Sequence, residues 1–148
     1  MHPRHVIASV LIVSSIALSA AAAVGLQPGK YEVTTQIEMT VRGTKQSLPP
    51  ERPTNRCVTA AELGDPEAIF NERAFTKYTP DPKCTERNVK TSAAAVSYDL
   101  ECDNRTVHVE ATLTPTSYNA VRSVTPKADN AAAMTYKTSG KRTGECGK

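Results

Sequence analysis

Cys57, Cys84, Cys102, Cys146, His108 and the carboxylates Asp99, Glu101 and Asp103 are the residues whose types and spacing could carry chemistry. Cysteines act as thiolate nucleophiles, hold metals or pair as disulfides. A histidine oriented by a carboxylate can serve as general base to a serine. Paired carboxylates run acid–base hydrolysis or hold calcium. Each of these needs a particular arrangement. His108 stands among Thr106, Glu110 and Thr112, alternate positions that read as the wet side of a strand. Asp99, Glu101 and Asp103 recur at every second residue, which lines them along one strand instead of facing them across a substrate. The calcium-loop pattern is absent from the sequence, as are the G-x-x-x-x-G-K-[ST], G-x-G-x-x-G and G-x-S-x-G motifs. No catalytic residue, metal site or cofactor is assigned.

The N-terminus addresses the compartment. Met1, His2, Pro3, Arg4 and His5 form a short basic leader, and residues 6–18 are apolar apart from Ser and Ala. Ser19, Ala20, Ala21, Ala22 and Ala23 follow and supply A-x-A sites. These are the three regions of a secretory signal peptide. Cleavage is expected after Ala23, with Ala21 and Ala22 as neighbouring alternatives, leaving residues 24–148 as a single β-rich domain. No stretch reaches the ~20 apolar residues of a membrane span. The expected location is the periplasm of a bacterium or its exterior. The formal charge of +3 is spread without a Lys/Arg stripe, so nucleic acid is not an expected partner.

An oxidising compartment turns the cysteines into staples. A fold at residues 92–94 lays the run after Cys84 antiparallel to the run before Cys102, placing the two cysteines opposite each other. Cys57 and Cys146 are then left to close a longer loop. One conflict attends this register: Glu86, Asn88 and Lys90 share the side of Cys84, while Val96, Tyr98 and Leu100 share that of Cys102. A bulge in the first strand would repair it, and so would a register differing by one. The staples matter because Leu, Ile, Val and Phe fall below the ~20% of a well-filled domain, and aromatics are only 5% of the chain.

The elements that position these residues are mostly strands. Tyr31, Val33, Thr35, Ile37, Met39 and Val41 alternate with polar residues, the pattern of a long strand with one buried face. Residues 43–55 read as a Pro-rich loop or ragged edge. Thr59 and Glu62 form a capping box for a short helix near Ala60, stopped by Gly64. Asp65 and Pro66 restart it, with Ile69, Phe70 and Phe75 docking on the sheet. Thr79, Pro80, Asp81 and Pro82 make a turn into the stapled hairpin. Val107, Val109, Ala111 and Leu113 mark another half-buried strand. Residues 118–125 and 132–139 form a last pair with weaker alternation, Met134 and Tyr136 pointing inward. The expected fold is mainly β: a curved antiparallel sheet, half-barrel or small barrel, with a short helical insert.

Several landmarks occur in a familiar order. Pro28, Gly29, Lys30, Tyr31, Glu32, Val33 and Thr34 resemble P-G-x-W-E-V-T, and Cys57 to Glu62 resemble C-[LV]-T-P-E-[DE]. Cys84, then Val96, Ser97, Tyr98 and Cys102, resemble a central Cys and V-S-W-x-x-x-C. Ser139 to Cys146 resemble S-G-R-R-x-G-[DE]-C. In these features the chain resembles the exported bacterial family called domain of unknown function 3617. The resemblance implies an exported, cysteine-bridged protein and no known activity. Tyr31 and Tyr98 stand where that family usually has Trp, and Ala93 where a hairpin Gly is usual. A turn needing φ > 0 there would strain Ala.

Three functions fit these readings. The first is a non-enzymatic domain binding a hydrophobic small molecule or another envelope component, with Tyr31, Met39, Tyr98, Met134 and Tyr136 lining a cavity. The second is a protein-interaction module gripping a partner through Leu48, Pro49, Pro50, Arg52 and Pro53. The third is a hydrolase-type enzyme using Asp99, Glu101 or His108.

Overall fold

A computed structural model of the chain describes residues 24–65, 69–70 and 84–147. The leader, Pro66, Phe75 and the turn at Thr79 to Pro82 lie outside the described residues. Among these residues eight strands form one antiparallel sheet: β1 (Gly29–Val41), β2 (Thr44–Ser47), β3 (Thr54–Val58), β4 (Cys84–Thr91), β5 (Ala95–Cys102), β6 (Arg105–Thr114), β7 (Ser117–Pro126) and β8 (Ala133–Gly144). Their spatial order is β2-β1-β8-β7-β6-β5-β4, with β3 beside β2 on the same edge of β1. Of the two shapes expected, the sheet takes the open one. β4 ends one side, and β2 with β3 ends the other.

The alternation in β1 and β6 does what it predicts. Tyr31, Val33 and Thr35 are buried, as are Val107, Val109, Ala111 and Leu113, while their neighbours face water. This inner face carries the core, joined by Val24 and Leu26 from the segment before β1 and by Val58, Ile69 and Phe70.

The edge strands escape such reading. Residues 44–47, expected as part of a loop or ragged edge, form the edge strand β2, with every side chain exposed. A strand wet on both faces needs no apolar period, and only its backbone pairing with β1 defines it. The turn into it uses Arg42 and Gly43 at φ 48° and 80°, the left-handed pair of a two-residue hairpin. The loop reading survives only for residues 48–53. The helix expected near Ala60 is a 3₁₀ turn, Glu62–Gly64. Its capping box is present: the Thr59 amide donates to Glu62 Oε2 at 2.7 Å and the Glu62 amide to Thr59 Oγ1 at 3.3 Å.

The stapled hairpin forms, and of the two repairs left open it takes the bulge. Cys84 faces Cys102, Thr85 faces Glu101, Glu86 faces Leu100 and Arg87 faces Asp99; the register then shifts, and Lys90 faces Ser97. Asn88 absorbs the extra residue at φ 55°, a left-handed conformation that Asn tolerates. The polar residues of β4 conflict with nothing, because the strand is an edge and is exposed along almost its whole length. At the turn, Ala93 has no positive φ. Ser92 closes it instead: its amide donates to Ala95 O at 2.8 Å, and its Oγ accepts from the Ala95 amide at 3.0 Å.

Two disulfides lock this sheet, Cys84–Cys102 with Cα atoms 4.0 Å apart and Cys57–Cys146 at 5.5 Å. They span 18 and 89 residues. In the loop-entropy account the shorter contributes about 3 kcal/mol and the longer about 4–5 kcal/mol. Replacing Cys57 and Cys146 by Ser should therefore lower stability to denaturant more than replacing Cys84 and Cys102. Equal losses would show that loop length does not set these contributions.

Gly140 supports a second prediction. A Cβ built there would stand 2.1 Å from Cε1 of Tyr118, whose ring lies across the glycine and is buried. Tyr118 cannot swing aside, since Tyr31 and Phe70 hold it with ring centroids at 5.9 and 5.5 Å. Gly140→Ala should cost about 1–3 kcal/mol by overpacking. Lys141→Ala, on the wet face next to it, should stay within about 0.5 kcal/mol of wild type in the same denaturation measurement.

Candidate functional site

Side chains on the inner face fall into rows that run across the strands. One row reads Val33 on β1, Gly140 on β8 and Tyr118 on β7. The next reads Thr35, Thr138 and Ala120, and the third Ile37, Tyr136 and Arg122. The middle row is small throughout, while Tyr118 stands in the row on one side and Tyr136 and Arg122 in the row on the other. A trough results, floored by the small row and walled by Tyr118 on one side and Tyr136 on the other. β3 and residues 69–70 close its flank, so that a cavity of about 640 Å³ lies against Val33, Ile37, Ile69, Phe70, Tyr118 and Tyr136. That volume suits a small organic molecule.

Polar groups sit at defined points of this wall. Thr35 Oγ1 and Thr138 Oγ1 are 3.3 Å apart on the floor. The Arg122 guanidinium is buried and stacks over the Tyr136 ring at 4.0 Å, a cation–π contact. Arg56 on β3 donates from Nη1 to Ile69 O at 2.5 Å and from Nη2 to Glu62 Oε1 at 3.2 Å. It thereby ties the 69–70 segment and the 3₁₀ turn to the rim. Burial pushes the Glu62 carboxyl up, but hydrogen bonds from Thr59 and Arg56 outweigh it and hold the group below the usual carboxylate range. Desolvation raises the Tyr118 and Tyr31 hydroxyls above the ordinary phenol range. Both remain neutral, and Tyr31 Oη donates to Gln27 O at 2.7 Å.

Of the residues expected to line a cavity, Tyr136 does so. Tyr31 and Tyr98 are 0% and 1% exposed and belong to the packed core. Met39 and Met134 are cross-strand partners one row beyond Tyr136, half-buried, and Tyr136 Oη donates to Met134 Sδ at 3.3 Å. Sequence reasoning missed Thr35, Ala120, Thr138 and Arg122. Small inward residues were the available signal, but only the strand register brings them into one row.

The segment holding Leu48, Pro49, Pro50, Arg52 and Pro53 is exposed and connects β2 to β3. It is tied to β1 by two backbone bonds, Leu48 N to Ile37 O at 2.9 Å and Glu51 N to Thr35 O at 3.2 Å. Glu51 reaches the cavity.

The polar candidates lie on the opposite, wet face. His108 Nδ1 is 2.5 Å from Asp99 Oδ1, and its Nε2 is 3.2 Å from Glu110 Oε1. Asn88 Nδ2 donates to Asp99 Oδ2 at 2.7 Å. Ser123 is the cross-strand partner of His108. Asp99, His108 and Ser123 thus stand in one row, yet the imidazole spends both nitrogens on carboxylates and leaves none to activate a hydroxyl. Glu101 pairs with Lys127 at 2.7 Å. Among the described residues no group of three His, Cys, Asp or Glu side chains is arranged to hold a metal.

Comparisons with curated proteins and with solved structures return no match. A family model described as "Protein of unknown function (DUF3617)" matches residues 26–146, which takes in every strand of the sheet and all four cysteines. The chain is a member of the DUF3617 family.

Proposed function

We propose that this protein is an exported, non-enzymatic binding domain that takes an apolar small molecule into the trough between β1, β7, β8 and β3. The observation that carries this reading is the row of Thr35, Thr138 and Ala120, which leaves a cavity where a well-filled core would place larger side chains. The walls offer aromatic and aliphatic surface, and a few polar groups, Thr35, Thr138 and Glu51 among them, would orient an occupant. The wet-face histidine offers no competing catalytic site. The residues 48–53 fit this reading as a rim, since their backbone is committed to β1 and Glu51 contributes to the wall.

Export is part of the proposal. Disulfides form and persist in oxidising compartments, which puts the chain outside a reducing cytoplasm. No helix among the described residues is long and apolar enough to cross a membrane. The basic, apolar and small-residue regions of 1–23 supply the secretory signal.

Titration with the neutral fluorophore N-phenyl-1-naphthylamine tests the binding site. Saturable binding is expected for the native chain, weakened at least about tenfold, or ~1.4 kcal/mol, by Thr138→Phe, which fills the trough. Circular dichroism should confirm that the variant keeps its sheet. Absence of saturable binding, or equal binding by the filled variant, would reject the trough as the site.

A further inference from the structure

The wet face carries a second device that the trough does not use. Asp99 on β5 accepts from Asn88 Nδ2 with one oxygen and contacts His108 Nδ1 with the other. His108, on β6, extends through Nε2 to Glu110. Asn88 is the left-handed residue at the break in β4 register. A chain of three side-chain contacts therefore runs from the bulge of an edge strand to the interior of the sheet. The disulfide at Cys84 also ties β4 to the sheet.

We propose that Asn88, Asp99, His108 and Glu110 form a pH-sensitive clasp that fastens the bulged strand β4 to the sheet when His108 is protonated and loosens it when His108 is neutral. The chemistry follows from donors and acceptors. Protonated imidazole donates from both nitrogens, satisfying Asp99 and Glu110 together. Neutral imidazole has one donor, so one carboxylate loses its partner and two anions are left close together.

Other charges near His108 set the balance. β4 brings Arg87 and Lys90, β5 brings Asp99 and Glu101, and β6 itself brings Glu110. β7 places Ser123 directly opposite, with Val121 and Thr125 on either side of it. Asp99 and Glu110, both in contact with the ring, favour the imidazolium, while Lys127 neutralises Glu101. Hydrogen bonds to Asp99 and Glu110 accordingly raise the His108 pKa above its ordinary value. Hydrogen bonds from Asn88 and then His108 hold Asp99 below its own. The signs define a window. His108 contributes fully below the ordinary imidazole pKa, and that contribution is lost as pH rises through the raised one. Asp99 contributes above the ordinary carboxylate pKa and loses this as pH falls through its depressed one. The clasp is tightest in mildly acidic solution, between the two.

Residue-resolved amide exchange of the full chain tests the clasp, with rates corrected for intrinsic pH dependence and read from about pH 5 to about pH 8. Protection across β4 and β5 should fall about two- to fivefold more than protection across β7 and β8, the scale of an exposed ion pair. His108→Gln and, separately, Glu110→Gln should remove the extra loss; both positions are exposed enough to tolerate the change. The assigned His108 ring should titrate above the ordinary histidine value and return toward it in Asp99→Asn. A uniform pH response across the sheet, or an unchanged β4 response in His108→Gln, would overturn the proposal. So would a His108 midpoint at or below the ordinary value.

Discussion

The packing of the Tyr118 ring against Gly140 is the contact on which the rest of the inner face depends. It joins β7 to β8 where a side chain at 140 would force them apart. It also gives Tyr31 and Phe70 a surface to close on, so that β1 and the 69–70 segment meet at one aromatic centre. A chain this poor in large apolar residues cannot spread its packing evenly. It concentrates packing at this cluster and lets the neighbouring row shrink to Thr35, Thr138 and Ala120. The cavity is the complement of that concentration. Tight packing at one row and open space at the next are one design seen from two sides.

The disulfides complete the scheme by acting where packing is absent. Cys57–Cys146 ties the strand that flanks the trough to the end of the chain beyond β8. Cys84–Cys102 holds an edge strand that buries almost nothing of its own. Non-covalent ties serve the same margins: Arg56 anchors the covering segment, and the Asn88–Asp99–His108 chain anchors the bulge. The centre of the sheet is held by apolar burial, and its borders by specific bonds.

What the sequence disclosed follows from this division. β1 and β6 are half-buried and alternate cleanly, so they are legible, and so is the pairing of Cys84 with Cys102; the bulge is one of two repairs the sequence leaves open. β2 is not legible, because a strand exposed on both faces has no period to read. β7 was blurred by Arg122, a buried guanidinium on an inward position that the Tyr136 ring accommodates. The floor of the cavity has a deeper cause. Large aromatic residues suggested a lining, but Tyr31 and Tyr98 fill the core. The space arises from small residues aligned across three strands, an alignment that exists only in the register. The alternation of β6 places His108 on the wet face, and its two carboxylate partners come from spacing along β6 and pairing with β5.

Methyl resonances of Thr35, Ala120 and Thr138, followed while a neutral apolar ligand is titrated, test the central claim most directly. These three floor the trough, whereas the methyls of Thr106 and Thr112 lie on the opposite face. Saturable shifts are expected at the first three, with the other two still. Motionless floor methyls, or shifts confined to Thr106 and Thr112, would contradict it.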